Sequence, residues 1–503
     1  MRYKLITEYL EETAANYPDK IAVADEGSPL TFRELRSQAF QIADALMQKG
    51  IFKKPVAVLM EKGAACLSAF LGVAYSGNFY TPIDSKMPLE RAKKILDTLE
   101  PACLIVSESC REHFADIIQQ YPAISYEETQ RKPEACEAEI LALSRQLVDA
   151  DVLYVLFTSG STGVPKGVII SHRSVIDYIE WVADTFQIQA EDRFANQAPF
   201  YFDNSILDIY TSIKTGSTLY IIPEKLFTFP IQLLEYLDQN KITTIFWVPS
   251  ALCLVANLKA LGKVELSHLK RILFCGEPMP NKQLNLWRKA YPAPLYANLY
   301  GPTEITDVCT YYIVDREFDD VDPLPIGIPC NNTDILVLDD HQQLVTADSG
   351  GIGELCVRGT SLSYGYYRNE EKTKEAFIQN PLNSCYPEII YCTGDLVKYN
   401  EYGELVFLSR KDFQIKHMGH RIELGEIENA VISQPEVRNC CCLYDDKRKK
   451  IVLFYEADQE LADLKTRLKN KVPDYMIPSV VKRLDAMPLN LNGKIDRSQL
   501  KQL

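Results

Sequence analysis

A loop of hydroxyl and glycine residues follows an apolar run near residue 150 and carries the strongest chemical signal in the sequence. Its letters, TSGSTGVPKG, run from Thr158 to Gly167 directly after VLYVLF. Glycine allows backbone amides to approach an anion closely, hydroxyl groups add hydrogen-bond donors, and Lys166 adds a positive charge. These residue types in this order predict a phosphate-binding loop at the end of a strand.

Two other enzyme classes use loops of similar composition, and the spacing argues against both. A P-loop nucleotide hydrolase needs GxxxxGK followed by serine or threonine, whereas Lys166 follows Pro165 and precedes Gly167. A serine hydrolase needs a GxSxG elbow, which the sequence does not contain. A plain flexible turn would not explain the lysine after this run of hydrogen-bonding residues. Phosphate binding outside the P-loop class is therefore the better interpretation.

Size and charge exclude several classes of protein. With 503 residues the chain is long enough for two or more domains, and no apolar run approaches the roughly 18 residues that span a bilayer. The start, MRYKLITEYLEE, does not resemble a secretory signal, so we expect a cytoplasmic protein. The net charge of −14 argues against nucleic acid as a partner. Residues 411–503 differ, because their 17 basic and 14 acidic side chains give a net charge of +3.

The cysteine and histidine residues do not indicate a metal site by their spacing. The 14 cysteines are scattered without a CxxC pair, so we expect reduced and mostly buried thiols. Cys440, Cys441 and Cys442 are adjacent, but successive residues of a strand alternate faces and cannot converge on one ion. His417 and His420 lie in a charged stretch that contains glycine, and we expect them in a solvated loop.

Strand and helix patterns alternate through the first 300 residues. Buried strands are predicted at PVAVLM, ACLIVS, ITTIFWVPS and RILFC, with helices such as PLERAKKILDTLE and IQLLEYLDQNK between them. This alternation predicts an α/β fold with a largely parallel sheet covered by helices, in which ligands bind beyond the carboxyl ends of the strands. From about Leu324 to residue 410, short β runs with glycine and aspartate turns predict a β-rich subdomain. We therefore expect domains at residues 1–410 and 411–503.

The loop TSGSTGVPKG resembles the signature of the adenylate-forming superfamily, which includes acyl-CoA synthetases, luciferases and nonribosomal peptide adenylation domains. Further motifs follow in the order typical of that superfamily, so the resemblance covers almost the whole chain. They are LTFREL, NFYTPID, FDNS, NLYGPTE, GELCVRG, YCTGD, RKDFQIKHMGHRIELGEIE, VPDYMIPS and NGKIDR. The resemblance implies a large N-terminal domain with a β subdomain and a small C-terminal domain that rotates about a hinge at Asp412.

The resemblance also implies a nucleotide site and its chemistry. Lys494, Thr303 and Lys166 match catalytic positions, and Glu304 matches the carboxylate that binds Mg²⁺. The implied ATP-binding residues are Thr158, Ser159, Gly160, Ser161, Thr162, Gly163, Asn298, Tyr300, Gly301, Asp395 and Arg410. In this superfamily a carboxylate is joined to the α-phosphate of ATP, pyrophosphate is released, and the acyl group passes to a thiol.

Asp203 in FDNS is similar to the aspartate that pairs with the α-ammonium group in amino-acid-activating members. Capping of the helix that follows is the other interpretation of this residue. The remaining implied pocket residues are Asn204, Leu207, Phe246, Leu273, Cys275, Leu299, Asp307 and Val308. The stretches NQAPF and FCGEPMP resemble D-alanine carrier protein ligases, whereas a second carboxylate, Asp307, favours a substrate with a polar or cationic side chain. The D-alanine ligase therefore stays as the alternative to a peptide-synthetase-type enzyme.

The acyl acceptor is expected to be a separate carrier protein. The sequence stops at Leu503, soon after NGKIDR, which leaves no room for a carrier domain. The resemblance thus implies transfer to the phosphopantetheine thiol of a carrier protein, with coenzyme A as the other possible acceptor. Such carriers are typically acidic, which suits the net positive charge of residues 411–503. A non-catalytic nucleotide-binding protein is disfavoured, because Lys166, Glu304, Asp395, Arg410 and Lys494 are all present.

Overall fold

Parallel strands joined by helices form the first part of the molecule, as the alternating pattern predicts. The computed structural model describes residues 3–131, 135–160, 163–411, 414–488 and 495–503. Local signals set the helix ends: Thr31 caps the helix that begins at Phe32, accepting a hydrogen bond from the Glu34 amide while the Glu34 carboxylate accepts one from the Thr31 amide. None of the helices in the described ranges is long and apolar enough to cross a membrane.

The helices are named in chain order. They are α1 Thr7–Asn16, α2 Phe32–Gln48, α3 Ala64–Tyr75, α4 Leu89–Leu99, α5 Glu108–Arg111, α6 Ala115–Ile118, α7 Tyr126–Gln130, α8 Glu137–Ser144, α9 His172–Thr185, α10 Asn204–Thr215, α11 Pro230–Gln239, α12 Pro249–Asn257, α13 Asn281–Ala290, α14 Glu370–Ala376, α15 Leu424–Ile432, α16 Leu464–Lys469 and α17 Arg497–Leu500. Short 3₁₀ turns cover Glu224–Thr228, Thr303–Ile305 and Asp474–Met476.

The strands are named in the same way. They are β1 Ile21–Ala24, β2 Leu30–Thr31, β3 Pro55–Met60, β4 Phe79–Asp84, β5 Cys103–Val106, β6 Ala123–Ser125, β7 Val152–Thr158, β8 Lys166–Ser171, β9 Arg193–Asn196, β10 Thr218–Ile221, β11 Thr244–Trp247, β12 Arg271–Phe274, β13 Leu295–Tyr300, β14 Thr310–Ile313, β15 Ile328–Pro329, β16 Thr333–Leu338, β17 Ile352–Gly359, β18 Phe377–Gln379, β19 Ile389–Tyr399, β20 Leu405–Arg410, β21 Gln414–His417, β22 His420–Glu423, β23 Asn439–Asp445, β24 Lys450–Glu456 and β25 Val480–Leu484.

Two large sheets carry the parallel strands. One has the order β15-β14-β13-β12-β11-β9-β10-β1-β2, with parallel pairing from β13 to β1 and antiparallel strands at both edges. The other has the order β6-β5-β3-β4-β7-β8, with parallel pairing from β6 to β7. A third sheet is antiparallel and consists of β16-β17-β19-β18, with β20 paired to β19. The α/β class and the β-rich region are therefore confirmed.

The chain divides into two compact units. The first comprises Met1–Ser85, Glu100–Leu156 and Val168–Lys411. The second comprises Lys86–Leu99, Phe157–Gly167 and Asp412–Leu503, so it includes α4 and the hydroxyl-glycine loop along with the C-terminal residues. Its own strands form a three-stranded sheet, β23-β24-β25, and the hairpin β21-β22.

The second unit shows how the clustered cysteines and histidines are placed. Cys440 and Cys442 point into one apolar core and Cys441 into another, as strand alternation predicts, and all fourteen cysteines are free thiols.

The expectation that His417 and His420 lie in a solvated loop is wrong. His417 and His420 flank a tight hairpin turn in which Met418 and Gly419 both have positive φ angles, a two-residue connection that pairs the flanking strands directly. The His420 ring stacks on the Tyr475 ring at a centroid distance of 3.6 Å.

A buried histidine predicts acid sensitivity of the first unit. His172 is buried, and its Nδ1 accepts a hydrogen bond from the Ile6 amide at 3.1 Å. Burial lowers the pKa of this imidazole to about 4, so the folded protein keeps it neutral while the unfolded chain protonates near pH 6.5.

We expect the contribution of His172 to the free energy of unfolding to be fully present above about pH 7. As the pH falls from about 6.5 to 4, the free energy of unfolding should decrease by up to about 3 kcal/mol. The substitution His172→Asn keeps an acceptor near the same place but cannot titrate. The unfolding midpoint of the variant should thus fall less steeply than that of the wild type over this pH range in thermal melts. Equal slopes for both proteins would contradict the prediction.

Candidate functional site

The candidate site of the first unit lies where the central parallel strands end at their carboxyl termini. Three neighbouring strands, β11, β12 and β13, are parallel and in register, with Phe246 opposite Leu273 and Leu273 opposite Ala297. Ligands of open α/β sheets bind at such an edge. The side chains predicted to line the acid pocket share a single core cluster, in which each is at most 2% exposed. They are Leu207, Phe246, Leu273, Cys275, Leu299 and Val308.

A tight turn after β13 brings several site residues to this edge. A Cβ atom at Gly301 would lie 2.3 Å from the Asp307 carbonyl oxygen, so the chain requires glycine there. Thr306 and Asp307 then adopt left-handed φ angles of 60° and 77°. Non-glycine residues adopt this conformation at a cost, and such strain is concentrated at functional sites. The Thr306 hydroxyl helps hold the turn by donating to the Ser361 carbonyl at 2.8 Å.

Three of the predicted nucleotide-binding residues meet around one buried carboxylate. Asp395 on β19 lies directly opposite Arg410 on β20, and its Oδ1 accepts a hydrogen bond from Arg410 Nη1 at 2.6 Å. Its Oδ2 accepts a hydrogen bond from the Tyr300 hydroxyl at the end of β13. Burial, together with the Asp395 charge, raises the pKa of Tyr300 well above its ordinary value, so the phenol remains a donor. Asn298, from the same strand as Tyr300, donates through Nδ2 to the Pro325 carbonyl at 2.8 Å.

Asp203 serves as a helix cap and also contacts a predicted catalytic residue. It stands at the N-cap of α10, where its Oδ1 accepts a hydrogen bond from the Asn204 amide at 3.0 Å. Its Oδ2 accepts one from the Thr303 hydroxyl at 2.5 Å. The two interpretations of Asp203 are therefore compatible, because one oxygen caps the helix while the other faces Thr303.

The side-chain amide of Asn204 is buried, and its nitrogen lacks a hydrogen-bond partner among the described residues. Asn204 is 3% exposed, and its Nδ2 has no hydrogen-bond partner among the described residues. A buried amide without a partner costs about 1 to 3 kcal/mol. A polar ligand or a water molecule in the pocket would satisfy it.

Glu304 is fully buried and is oriented by a tyrosine. Its Oε1 accepts a hydrogen bond from the Tyr366 hydroxyl at 2.7 Å, and its backbone carbonyl accepts one from the Ser363 amide at 2.8 Å. Carboxylate oxygen is the ligand type that Mg²⁺ prefers, and hydrogen bonds to a ligating carboxylate fix its orientation. The residues present therefore fit a magnesium ion.

Asp307 has a similar tyrosine partner. Its Oδ2 accepts a hydrogen bond from the Tyr178 hydroxyl on α9 at 2.7 Å, and both residues are buried. Burial raises the pKa of Tyr178 well above its ordinary value, and the negative charge of Asp307 raises it further. Sequence reasoning missed Tyr178 and Tyr366, because each resembles an ordinary core aromatic residue and lies far along the chain from its carboxylate.

The hydroxyl-glycine loop belongs to the second unit and bonds to its hairpin. Ser159 Oγ donates to the Arg421 carbonyl at 2.8 Å and accepts from the Glu423 amide at 3.0 Å. Lys166 Nζ lies 3.6 Å from Glu423 Oε1. Thr158 closes the base of the loop, with its hydroxyl 3.5 Å from the Lys166 carbonyl.

Two glycines shape this loop, and four predicted residues cannot be placed. A Cβ atom at Gly160 would lie 2.0 Å from the Val164 carbonyl oxygen, and Gly163 has a φ angle of 78°. The remaining predicted residues lie outside the described ranges. They are Ser161, Thr162, Asp412 and Lys494.

Comparison with known proteins identifies relatives that match almost the whole chain. Residues 10–367 match the family model of AMP-binding enzymes, and residues 426–494 match that of the AMP-binding enzyme C-terminal domain. The L-proline--[L-prolyl-carrier protein] ligase of Streptomyces coelicolor is 33% identical over 94% of this chain and 92% of its own length. Tyrocidine synthase 3 of Brevibacillus parabrevis is 34% identical over 98% of this chain, which spans 8% of that protein. The crystal structure of IdnL1 matches this chain with a TM-score of 0.81 and a sequence identity of 27%. The match covers 96% of this chain and 99% of that one.

The tyrosine partner of Asp307 gives a stability prediction. Tyr178→Phe removes a hydrogen-bond donor from a buried carboxylate, so the free energy of unfolding should fall by about 1.5 to 3 kcal/mol in urea titrations. Tyr364→Phe is the matched control, because its hydroxyl also donates a hydrogen bond, to the Ala150 carbonyl at 2.8 Å, but its side chain is 52% exposed. The control should stay within about 0.5 kcal/mol of wild type. Equal losses of unfolding free energy in both variants would show that the Tyr178–Asp307 hydrogen bond contributes no more than an exposed one.

Proposed function

This chain belongs to the family of AMP-binding enzymes, and from that premise we propose that it activates an amino acid as its adenylate. An oxygen of the amino acid carboxylate attacks the α-phosphorus of ATP, the bond to the bridging oxygen breaks, and pyrophosphate leaves. The aminoacyl group then passes to the phosphopantetheine thiol of a carrier protein, and AMP is released. The observation that carries the proposal is the contact between Asp203 and Thr303, which accompanies the buried side chains predicted to line the acid pocket.

Asp203 is the proposed anchor for the α-ammonium group. A carboxylate held on a helix cap can keep one oxygen on the helix and present the other to the substrate. The Oδ2 atom, which accepts the Thr303 hydroxyl, is the proposed acceptor for the ammonium, because Oδ1 caps the helix. An ammonium adds the attraction of opposite charges to its hydrogen bond, which a neutral hydroxyl donor lacks, so the substrate would displace the hydroxyl.

Displacement of the Thr303 hydroxyl means that amino acid binding comes before the contact of Thr303 with the α-phosphate. Once the ammonium occupies Asp203, the hydroxyl is released to donate to an oxygen of the α-phosphate, where negative charge accumulates as the carboxylate attacks. Amino acid binding thereby prepares the phosphate contact. Acids without an α-ammonium would leave Thr303 bound to Asp203 and would react more slowly.

The nucleotide is proposed to bind around Tyr300, Asp395 and Arg410. The Tyr300 ring offers a face for the adenine, and Asp395 offers carboxylate oxygens to the ribose hydroxyls. Arg410 forms an ion pair with Asp395, with Nη1 2.6 Å from Oδ1, and so holds this carboxylate in place. Lys166 is proposed as a supporting charge for the β- and γ-phosphates in the hydroxyl-glycine loop.

Glu304 would hold the magnesium ion, with Tyr366 fixing the orientation of its carboxylate. A bound Mg²⁺ supplies charge neutralisation for the triphosphate. Lys494 is proposed as the main catalytic cation, with Lys166 in a supporting role, and Asp412 as the hinge of the small domain. The end of the first compact unit at Lys411 supports this position of the hinge.

Asp307 supports a substrate with a polar or cationic side chain. The carboxylate is 2% exposed and accepts a hydrogen bond from the Tyr178 hydroxyl. An ammonium or hydroxyl group on the substrate would be a suitable further partner for a carboxylate in this buried position. The methyl side chain of D-alanine carries no such group, so this observation favours the peptide-synthetase type over a D-alanine ligase.

The acid class can be tested by ATP–pyrophosphate exchange against L- and D-amino acids, with aryl and fatty acids as controls. We expect exchange with amino acids that carry a polar or cationic side chain. Asp203→Asn preserves the helix cap but removes the charge, so kcat/KM for the preferred amino acid should fall by about 10- to 150-fold. Asp184→Asn, at an exposed position, should have no effect. Preference for D-alanine would support the alternative ligase, and comparable exchange with fatty or aryl acids would contradict the proposal.

Lys494 can be tested by separating the two half-reactions. In Lys494→Ala the developing charge on the α-phosphate loses its cation, so adenylate formation should be almost abolished. Transfer from an aminoacyl-adenylate supplied from outside should persist. Lys501→Ala removes an exposed lysine seven positions later and serves as the control. Near-normal pyrophosphate exchange in Lys494→Ala would remove this residue from the mechanism.

A further inference from the structure

Two thiols and a carboxylate converge on one face of the antiparallel sheet of the first unit. Glu354 and Cys356 lie two residues apart on β17, and Cys392 is the cross-strand neighbour of Cys356 on β19. One ligand atom from each of the three residues lies within 4.8 Å of the others. No other group of three histidine, cysteine or acidic residues with this geometry occurs in the described parts of the chain.

The separation of the two sulfur atoms suits a shared metal ion better than a covalent bond. Cys356 Sγ and Cys392 Sγ are 3.5 Å apart. Two thiolates at about 2.3 Å from a tetrahedral zinc ion are about 3.8 Å apart, so a small movement would suffice. A disulfide requires a sulfur–sulfur distance of about 2.05 Å, which demands a larger approach.

The carboxylate of this group is oriented by its own hydrogen bonds. Glu354 Oε1 accepts from the Gly394 amide at 2.8 Å, and Oε2 accepts from Lys411 Nζ at 3.0 Å. Such outer contacts are typical of ligating carboxylates. They also balance the charge, because two thiolates and one carboxylate carry −3, while a dication and the Lys411 ammonium carry +3.

An ion could reach this group from solvent. Cys356 is 1% exposed, but Cys392 is half-buried and the Glu354 side chain is 17% exposed. A half-buried position allows entry, and a fourth coordination position would remain for water.

We propose that Glu354, Cys356 and Cys392 form a binding site for a thiophilic divalent cation such as Zn²⁺. Binding forms two metal–sulfur bonds and one metal–oxygen bond, and the two thiol protons pass to solvent. The site lies three residues before Asp395 on β19, so an ion would fix the pairing of β17 and β19 beside the proposed ribose carboxylate. It is independent of the magnesium position at Glu304, which offers hard oxygen ligands only.

Cobalt titration of the reduced, full-length protein tests the site, because thiolate–Co²⁺ coordination produces an absorption band in the near ultraviolet. We expect one equivalent of Co²⁺ to produce the band and Zn²⁺ to displace it. Cys392→Ser should remove most of the band, and Glu354→Gln should weaken the affinity by at least about tenfold. Cys385→Ser, which alters an exposed free thiol on the same unit, is the matched control and should behave as wild type.

Glu354→Gln also guards against loss of folding in the cysteine variant, because it changes a partly exposed side chain. A band that survives both Cys392→Ser and Glu354→Gln, or that disappears in Cys385→Ser, would overturn the proposal. So would absence of the band in the reduced wild type. In that case, a Cys356–Cys392 disulfide found by non-reducing peptide mapping after treatment with a disulfide oxidant would identify a redox pair in its place.

Discussion

A carboxylate taken out of water needs a donor, and this constraint organises the whole candidate site. Asp203, Glu304, Asp307 and Asp395 each accept a hydrogen bond from a hydroxyl group. The last three are at most 3% exposed. The donors come from elements far apart in the chain, so the fold must bring the end of β13, the start of α10, α9 and the antiparallel sheet together before any of these charges is tolerated. The energetic cost of an unpaired buried charge thus ties the chemistry to the fold.

Neutral hydroxyl partners have a functional consequence, because they satisfy a carboxylate without cancelling its charge. One of these carboxylates, Asp395, also has an arginine partner, Arg410, at 2.6 Å. Asp203, Glu304 and Asp307 bring negative charge to the end of β13, and such charge favours cations. An α-ammonium, a magnesium ion and a polar or cationic substrate side chain are three ligands that such charge would select. A single physical arrangement therefore accounts for three separate parts of the proposed function.

Much of the fold could be predicted, because the apolar runs that become β3, β5, β11 and β12 are continuous and are separated by helical patterns. The motif residues could also be named, since Tyr300, Glu304 and Asp395 lie in short stretches typical of one superfamily. Their partners could not. Tyr178 and Tyr366 donate hydrogen bonds to carboxylates 129 and 62 positions away, and contacts at such separations cannot be predicted from local residue spacing. The same holds for Cys356 and Cys392, which become neighbours only through the register of β17 and β19.

The central claim is that the enzyme makes an aminoacyl-adenylate, and the most direct test is to identify that product by mass spectrometry. The full-length protein would be incubated with ATP, Mg²⁺ and a mixture of amino, aryl and fatty acids, without any thiol acceptor. The account predicts pyrophosphate together with the adenylate of one amino acid, or of a few closely related ones. Adenylates of aryl or fatty acids alone, or intact ATP with no adenylate at all, would contradict it.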